Sequence, residues 1–224
     1  MKHAVMVIGL GRFGSAAARE LAALGHEVLA IDTDMAIVNE ISPAVTHAVQ
    51  LDATDEEALR AVGGGDFAYA IVAISGQTEA SIFATMALKN LGVDTVIAKA
   101  GTPLHGAILE RVGADRVVYP EREMGQRVSH AFMIPNVIDY LDVAPNFGIV
   151  KMRPPAAFVG RSLKDIDLPV RLGLTPIALR RGTEVTINPH RDEVVRETDE
   201  LILIGRDDRL ESLNGGPARP PGTR

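Results

Sequence analysis

The sequence contains no cysteine and no tryptophan, and aromatic residues make up only 4% of it. The absence of cysteine excludes disulfide bonds, thiolate metal ligands and a cysteine nucleophile. With so few aromatic side chains, the core must consist of Val, Ile, Leu and Ala, which is typical of parallel sheets buried on both faces. Hydrophobic residues account for 46% of the 224 positions, enough for one large domain or for a medium domain with a small one.

The sequence also lacks an excess of positive charge and any long apolar run. Its formal net charge is −6, so we expect no nucleic acid among its partners. No apolar run reaches the ~18 residues of a membrane-spanning helix. The segment Ala4–Leu10 is apolar but leads directly into a glycine-rich turn, so it predicts a β-strand rather than a signal peptide.

Six short β-rich runs alternate with amphipathic segments over residues 4–134. Gly25 is expected to end the first helix, and Asp55 to cap a later one. This alternation predicts the α/β class, with a Rossmann-like doubly wound parallel sheet of six strands. The strands are expected at Ala4–Ile8, Glu27–Ile31, Thr46–Gln50, Tyr69–Ile74, Thr95–Ala98 and Arg116–Val118.

The segment Glu79–Leu91 is apolar around most of its circumference when it is drawn as a helix. A helix of this kind is buried on more than one side. The sequence leaves two interpretations open, a central core helix and a helix at a subunit interface.

The pattern changes near Ile134, so residues 1–134 are assigned to a Rossmann-type domain. Residues 135–145 are expected to link the domains through a short helix at Asn136–Leu141 and a turn at Pro145-Asn146. Residues 146–210 predict a small α+β domain, which by its size should dimerise. The Pro/Gly-rich residues 211–224 are expected to be disordered. Strands of the small domain are predicted at Phe147–Met152, Thr175–Leu179, Glu184–Ile187 and Leu201–Ile204.

A strand, a glycine-rich turn and a helix open the chain in the arrangement of a dinucleotide-binding fingerprint. Gly9 permits the tight turn, Gly11 lets a phosphate approach the backbone, and Gly14 lets the helix pack closely on the strand. Asp32 ends the second strand, where its carboxylate can accept hydrogen bonds from ribose hydroxyls and disfavours a 2′-phosphate, so NADP is not expected; Thr33 follows it. The motif reads Gly9-Leu10-Gly11-Arg12-Phe13-Gly14.

Charged side chains lie where phosphates and a cation are expected. Arg12 suits phosphate oxygens, of its own or a neighbouring subunit, or is a solvated surface arginine. Lys99 follows the fifth strand and offers a phosphate counter-charge, or is a strand-end lysine with a buried stem. Glu121, at the start of a helix, can bind Mg²⁺ or Ca²⁺, or only complements the helix dipole.

Polar residues follow two further strands at the same predicted edge. Asp52, Ala53 and Thr54 come after the third strand, and Ser75 after the fourth. Ligands in this architecture bind outside the carboxyl ends of the strands, so Asp52 and its neighbours could recognise an adenine. Asp52 could equally cap the helix that follows.

The sequence shows no constellation of catalytic residues. A Rossmann enzyme needs a substrate domain with a proton donor or groups that position a hydride, and the second domain is too small for a typical one. The six histidines are scattered, and His105, which follows the fifth strand, is the one nearest the expected site. We therefore expect a binding protein and not an enzyme.

These residues resemble those of the regulator of potassium conductance (RCK) domain, with its TrkA-N and TrkA-C parts. The likeness covers residues 2–208 and is most similar to the soluble subunits of bacterial Ktr-type potassium uptake systems. It rests on the glycine-rich motif, on Gly25–Asp32 and Gln50–Thr54, and on Val72–Ile74, Ile97–Ala100, Gly113–Glu121 and Met124-Gly125.

The resemblance implies a cytoplasmic gating subunit, peripheral to the inner face of the cell membrane, that docks on a membrane potassium-translocating subunit. Such subunits assemble as dimers and usually as octameric rings, and ATP and ADP compete for their Rossmann site; some bind NAD(H). Arg12, Asp32, Asp52 and Lys99 match family positions that contact the nucleotide, and Glu121 matches one that holds a divalent cation. Cyclic di-AMP binds the C-terminal domain of some members, but Pro169–Gly173 and Asn188–His190 depart from the expected pattern.

Two other functions are compatible with the fingerprint. An NAD(H)-dependent oxidoreductase or redox sensor would use the same turn and Asp32, and a stand-alone nucleotide sensor would act on a partner that is not a transporter. The missing catalytic constellation argues against the first of these.

Overall fold

The structure is a computed structural model that describes residues 2–134 and 136–214. Its contacts divide the chain into an N-terminal unit, Met1–Glu121, and a C-terminal unit, Arg122–Arg224. The sequence placed this boundary later, at residue 134, and the two positions differ by most of one helix. Among the described residues, no helix is long and apolar enough to cross a membrane.

The N-terminal unit is built on one sheet of six parallel strands in the order β3-β2-β1-β4-β5-β6. This order is that of a doubly wound Rossmann sheet, and it confirms the predicted fold class. The strands are β1 (Ala4–Ile8), β2 (Glu27–Asp32), β3 (His47–Gln50), β4 (Tyr69–Val72), β5 (Thr95–Lys99) and β6 (Arg116–Val118).

Helices follow these strands, and two of them end or begin at residues that the sequence predicted. Asp55 caps one helix by accepting from the backbone N–H groups of Glu57 and Ala58, as predicted. Gly25, at φ +86°, follows the first helix as its expected terminator. The helices are α1 (Arg12–Ala23), α2 (Met35–Ile41), α3 (Glu56–Ala61), α4 (Thr78–Asn90), α5 (Pro103–Arg111) and α6 (Pro120–Met133).

Both faces of the parallel sheet are buried. Successive strand residues point to opposite sides of the sheet, so neighbouring residues of one strand pack into different cores. In β1, Met6 and Ile8 belong to one core cluster, whereas Val7 belongs to a second cluster with Ala18 of α1. The aliphatic composition therefore fills two cores on either side of one sheet.

Helix α4 buries one side and exposes another. Ala84 and Leu88 are fully buried, whereas Phe83 is 53% exposed and Met86 40% exposed. Although α4 is apolar around most of its circumference, this chain does not bury it on all sides.

The C-terminal unit contains a five-stranded antiparallel sheet in the order β10-β9-β11-β8-β7. Three short helices, α7 (Leu163–Ile166), α8 (Leu168–Leu172) and α9 (Asp207–Glu211), complete its core with the sheet. The strands are β7 (Val137–Ala144), β8 (Phe147–Met152), β9 (Thr175–Arg181), β10 (Glu184–Ile187) and β11 (Asp199–Arg206).

The predicted linking helix at Asn136–Leu141 is wrong, because these residues belong to β7 and the turn before it. Strand β7 pairs with β8 through a turn at Pro145-Asn146, which the sequence did predict. The apolar residues of this segment fit a helical face, but cross-strand pairing and burial of Tyr140 decide for a strand.

The predicted disordered tail begins too early. Residues 207–214 form α9 and a short 3₁₀ helix, and Leu213 is buried in the core of the C-terminal unit. Residues 215–224 lie outside the described residues.

Candidate functional site

A pocket of about 280 Å³ lies outside the carboxyl ends of β1, β2, β3 and β4. The structure brings together here most of the residues that the sequence selected. Those that line the pocket are Gly9, Gly11, Asp32, Thr33, Asp52, Ala53, Thr54 and Ser75.

The glycines of the turn differ in the space around them. A Cβ on Gly9, at φ +86°, would lie 2.8 Å from the Ile74 backbone nitrogen, and a Cβ on Gly14 would overlap the Gly9 carbonyl oxygen. A Cβ on Gly11 would meet no atom within 4 Å. Gly9 and Gly14 are therefore required by the fold, whereas Gly11 keeps open a space beside the backbone, as a phosphate site requires.

The turn leads into a helix whose first N–H groups are not capped. Gly11 is the residue before α1, and it provides no side chain to accept from them. Because the N-terminus of a helix carries unpaired N–H groups and partial positive charge, it favours an anion. The residues present thus fit a phosphate group at this position.

Asp32 ties the glycine-rich turn to the end of β2. One carboxylate oxygen accepts from the backbone N–H of Leu10 at 2.6 Å, and the other accepts from that of Asp34 at 2.9 Å. Each oxygen keeps further acceptor capacity, so the carboxylate is held in place and can still accept from ribose hydroxyls.

Asp52 stabilises the loop after β3 and does not cap α3, which Asp55 does. One Asp52 oxygen accepts from the Thr54 backbone N–H at 3.0 Å and from the Thr54 hydroxyl at 2.8 Å. These hydrogen bonds lower the pKa of Asp52 below its ordinary value. The loop that lines the pocket therefore carries an ordered, anionic acceptor.

Lys99 contacts three other residues near the carboxyl end of β5. Its side chain is 9% exposed, and its ammonium donates to the Ser75 hydroxyl at 2.9 Å and to the Glu121 carboxylate at 2.6 Å. The ammonium also lies 6.0 Å from the centre of the Phe13 ring. Through Ser75, this cluster reaches the wall of the pocket.

Glu121 is held chiefly by Lys99, whose hydrogen bond lowers the pKa of the carboxyl group, with a further contribution from the charge of Arg12. Arg12 is exposed at the first position of α1. Arg12, Phe13, Gly14, Lys99 and Glu121 stand outside the pocket lining. No group of three or more potential metal ligands occurs among the described residues.

The sequence missed the apolar part of the pocket. Ile37 of α2, Leu51, Ile74 and Ala80 of α4 line it, and Gln77 lies beside them. The sequence did carry a signal for Ile37. Asp34, shortly after β2, caps α2, so the first turn of this helix starts at the carboxyl end of β2, where the pocket lies. Ile74 is the residue immediately before the predicted Ser75.

His105, the histidine expected nearest the site, is buried between helices. Its Nε2 lies 2.7 Å from the Ser81 hydroxyl of α4, and Ser81 in turn donates to the Thr78 carbonyl. Burial lowers the pKa of this histidine, so it is a neutral packing residue at neutral pH.

Models of two protein families match the two parts of the chain: the TrkA-N domain over residues 5–120 and the TrkA-C domain over residues 148–214. The chain belongs to the TrkA-N/TrkA-C family.

Named relatives of this TrkA-N/TrkA-C chain are potassium uptake proteins. The chain is 40% identical to Ktr system potassium uptake protein C of Bacillus subtilis, over 92% of this chain and 93% of that protein. It is 35% identical to Ktr system potassium uptake protein A of the same organism, over 89% and 90%. These matches confirm the predicted resemblance to Ktr-type RCK subunits.

Solved structures with this fold include the GsuK RCK domain, with a TM-score of 0.67 and 19% identity. The match covers 98% of this chain and 49% of that one, so the TrkA-N/TrkA-C chain spans about half of its length. A GsuK channel bound to NAD matches at a TM-score of 0.65 and 19% identity, over 98% of this chain and 40% of that one. At such identities the likeness shows the fold alone.

Proposed function

We propose that this chain is the cytoplasmic, nucleotide-binding regulatory subunit of a Ktr-type potassium uptake system, and that it performs no catalysis. The observation that carries the proposal is the pocket at the glycine-rich turn, in a chain that is 40% identical to a Ktr uptake protein over 92% of its length. The partner is then a membrane subunit that conducts potassium, which this chain contacts from the cytoplasmic side.

ATP and ADP are the proposed ligands of the pocket. The remaining acceptor capacity of Asp32 supports a contact with the ribose, and the uncapped N-terminus of α1 and the ammonium of Lys99 offer positive charge to the phosphates. The Asp52–Thr54 loop and the apolar wall with Leu51 remain for the base. Glu121 is the proposed ligand of a divalent cation, Mg²⁺ or Ca²⁺, that accompanies ATP.

NAD(H) is the second candidate ligand. The glycine fingerprint with Asp32 is also that of dinucleotide-binding proteins, and a channel with the same fold binds NAD. The chain would then act as a redox sensor or an oxidoreductase, and Arg12 would have no terminal phosphate to bind.

Regulation requires that the two nucleotides favour different shapes of an assembly. A tenfold bias needs about 1.4 kcal/mol of differential affinity, which Arg12 and a cation on Glu121 could supply for the γ-phosphate of ATP alone. Repetition of the bias over the subunits of a ring sharpens the response. We propose a dimer that assembles further into an octameric ring.

Exposed apolar side chains supply surface for such assembly. On α4 they are Phe83 and Met86, on α5 Leu104, which is 73% exposed, and on α6 Val128 and Phe132. A cyclic di-AMP site in the C-terminal unit, around Pro169–Gly173 and Asn188–His190, stays a prediction.

Titration calorimetry of the nucleotide-stripped protein tests the proposal with ATP, ADP and NADH, with and without Mg²⁺ or Ca²⁺. We expect ATP and ADP to bind and the cation to strengthen only ATP. The variant Arg12→Ala should fold and bind ADP but lose the preference for ATP by about tenfold, which corresponds to one charge-assisted phosphate contact.

The control is Arg19→Ala, which removes an exposed arginine of the same helix whose nearest carboxylate is Glu40 at 3.8 Å. This variant should discriminate ATP from ADP as the wild type does. Equal discrimination by Arg12→Ala would contradict the role given to Arg12, and tight binding of NADH alone would support the second candidate.

A further inference from the structure

Lys99 is a nearly buried cation that is paired with the carboxylate of Glu121. Its side chain is 9% exposed, and its ammonium donates a hydrogen bond to the Glu121 carboxylate at 2.6 Å. A buried charge that loses its partner is costly, so the ammonium must keep either this carboxylate or another anion beside it.

Glu121 is in the opposite situation. Its side chain is 67% exposed, so the carboxylate loses little when it returns to water. Lys99 is therefore the member of the pair that needs a counter-charge, and Glu121 is the member that can leave.

The wall of the pocket is one hydrogen bond away from this pair. The hydroxyl of Ser75 lines the pocket region at the end of β4 and accepts from the ammonium of Lys99 at 2.9 Å. A phosphate bound at the glycine-rich turn would offer the ammonium a stronger anionic acceptor from that side.

We propose that Lys99 and Glu121 form an exchangeable latch: in the nucleotide-free site Lys99 occupies the carboxylate of Glu121, and nucleotide phosphate releases Glu121 by taking over Lys99. This inference rests on the proposed function and adds a regulation to it. A released carboxylate is then available to a divalent cation that also needs the γ-phosphate as a ligand, so cation binding reports the site occupied by ATP.

The latch has a consequence that a simple ion pair lacks. Because phosphate must displace Glu121 from Lys99, removal of the Glu121 charge should tighten nucleotide binding when no cation is present. The test is calorimetry with ADP in EDTA, on the full chain, for the wild type, Glu121→Gln, Lys99→Met and the double variant.

We expect Glu121→Gln to bind ADP about fivefold more tightly than the wild type, a factor within the range of single ion pairs. Lys99→Met should bind ADP more weakly, and the double variant should equal Lys99→Met, because without the ammonium there is no latch to open. In the presence of Mn²⁺ as the probe cation, ATP affinity should rise for the wild type and stay unchanged for Glu121→Gln.

A matched control pair lies in the same unit. Lys89 and Asp115 form an ion pair at 3.1 Å near the amino end of β6, the edge of the sheet opposite the pocket. Lys89→Met and Asp115→Asn should leave ADP affinity unchanged in EDTA.

Three results would overturn the latch, and they are distinguishable from failure of the proposed function. Unchanged or weaker ADP binding by Glu121→Gln would contradict the exchange. Tighter binding that persists in the Lys99→Met background would show relief of charge repulsion without exchange. Absence of nucleotide binding by the wild type would overturn the proposed function and the latch together.

Discussion

Gly11 and Gly14 belong to one glycine-rich turn but serve different purposes. A Cβ on Gly14 would overlap the Gly9 carbonyl oxygen, whereas a Cβ on Gly11 would enter open space next to the first N–H groups of α1. The first requirement is imposed by packing of a helix on a strand, and we attribute the second to the proposed phosphate. Substitution can separate the two.

Gly11→Ala should fold with the melting temperature of the wild type but lose nucleotide affinity by at least about tenfold, because the methyl group occupies the space of the phosphate. Gly14→Ala should destabilise the fold itself, since backbone atoms must move to admit the Cβ. Thermal denaturation and ADP titration on both variants measure this. Equal melting temperatures for the two variants would contradict the division.

Single residues also mark the limit of what the sequence predicts. The spacing of the motif indicated the positions of Gly9, Gly11 and Asp32, since turn, strand end and helix start are local features. The contact of Lys99 with Glu121 joins β5 to α6, which are separated by α5 and β6 along the chain. Such a pairing depends on tertiary packing, and no spacing rule reports it.

Among the elements, short strands bounded by turn residues were the most predictable. Strands β1, β6, β8 and β10 begin and end where the sequence placed them, because short β-rich runs between turn signals have few alternatives. The segment before Pro145 failed because Val137, Ile138 and Leu141 satisfy a helical face as well as a strand. Local periodicity does not distinguish a helix from a strand here. Pairing with the neighbouring strand β8 makes the segment a strand.

The β7–β8 hairpin gives a direct test of that correction. A Cβ on Gly148 of β8 would overlap the ring of Tyr140 in β7, whose hydroxyl donates to Asp207 at 2.9 Å. Gly148→Ala should therefore destabilise the protein by about 1–3 kcal/mol, the usual cost of overpacking. The control Gly125→Ala, in helix α6 with no atom within 4 Å of the new Cβ, should be neutral or slightly stabilising. Urea denaturation compares them, and a neutral Gly148→Ala would argue against the hairpin.

At the scale of the molecule, the candidate site belongs to one of the two units. The pocket and the Lys99–Glu121 latch both lie in the N-terminal unit, whereas the C-terminal unit is a small antiparallel sheet with its own core. Under the proposed function, a bound nucleotide would therefore act on a partner through surfaces that the chain presents to other subunits.

Helix α4 presents such a surface. Phe83 is 53% exposed and Met86 40% exposed, while the opposite side of the helix packs into the core through Leu88. Exposed apolar side chains this large favour burial against another subunit, which supports the interface interpretation of this helix.

Phe83→Glu combined with Met86→Gln should reduce the mass of the assembly in light scattering and leave ADP affinity unchanged, because neither residue lines the pocket. Leu24→Glu, at a 66% exposed leucine that follows α1, is the control and should keep the wild-type mass. An unchanged mass for the α4 variant would restrict assembly to other surfaces, and a ring built through α4 would be ruled out.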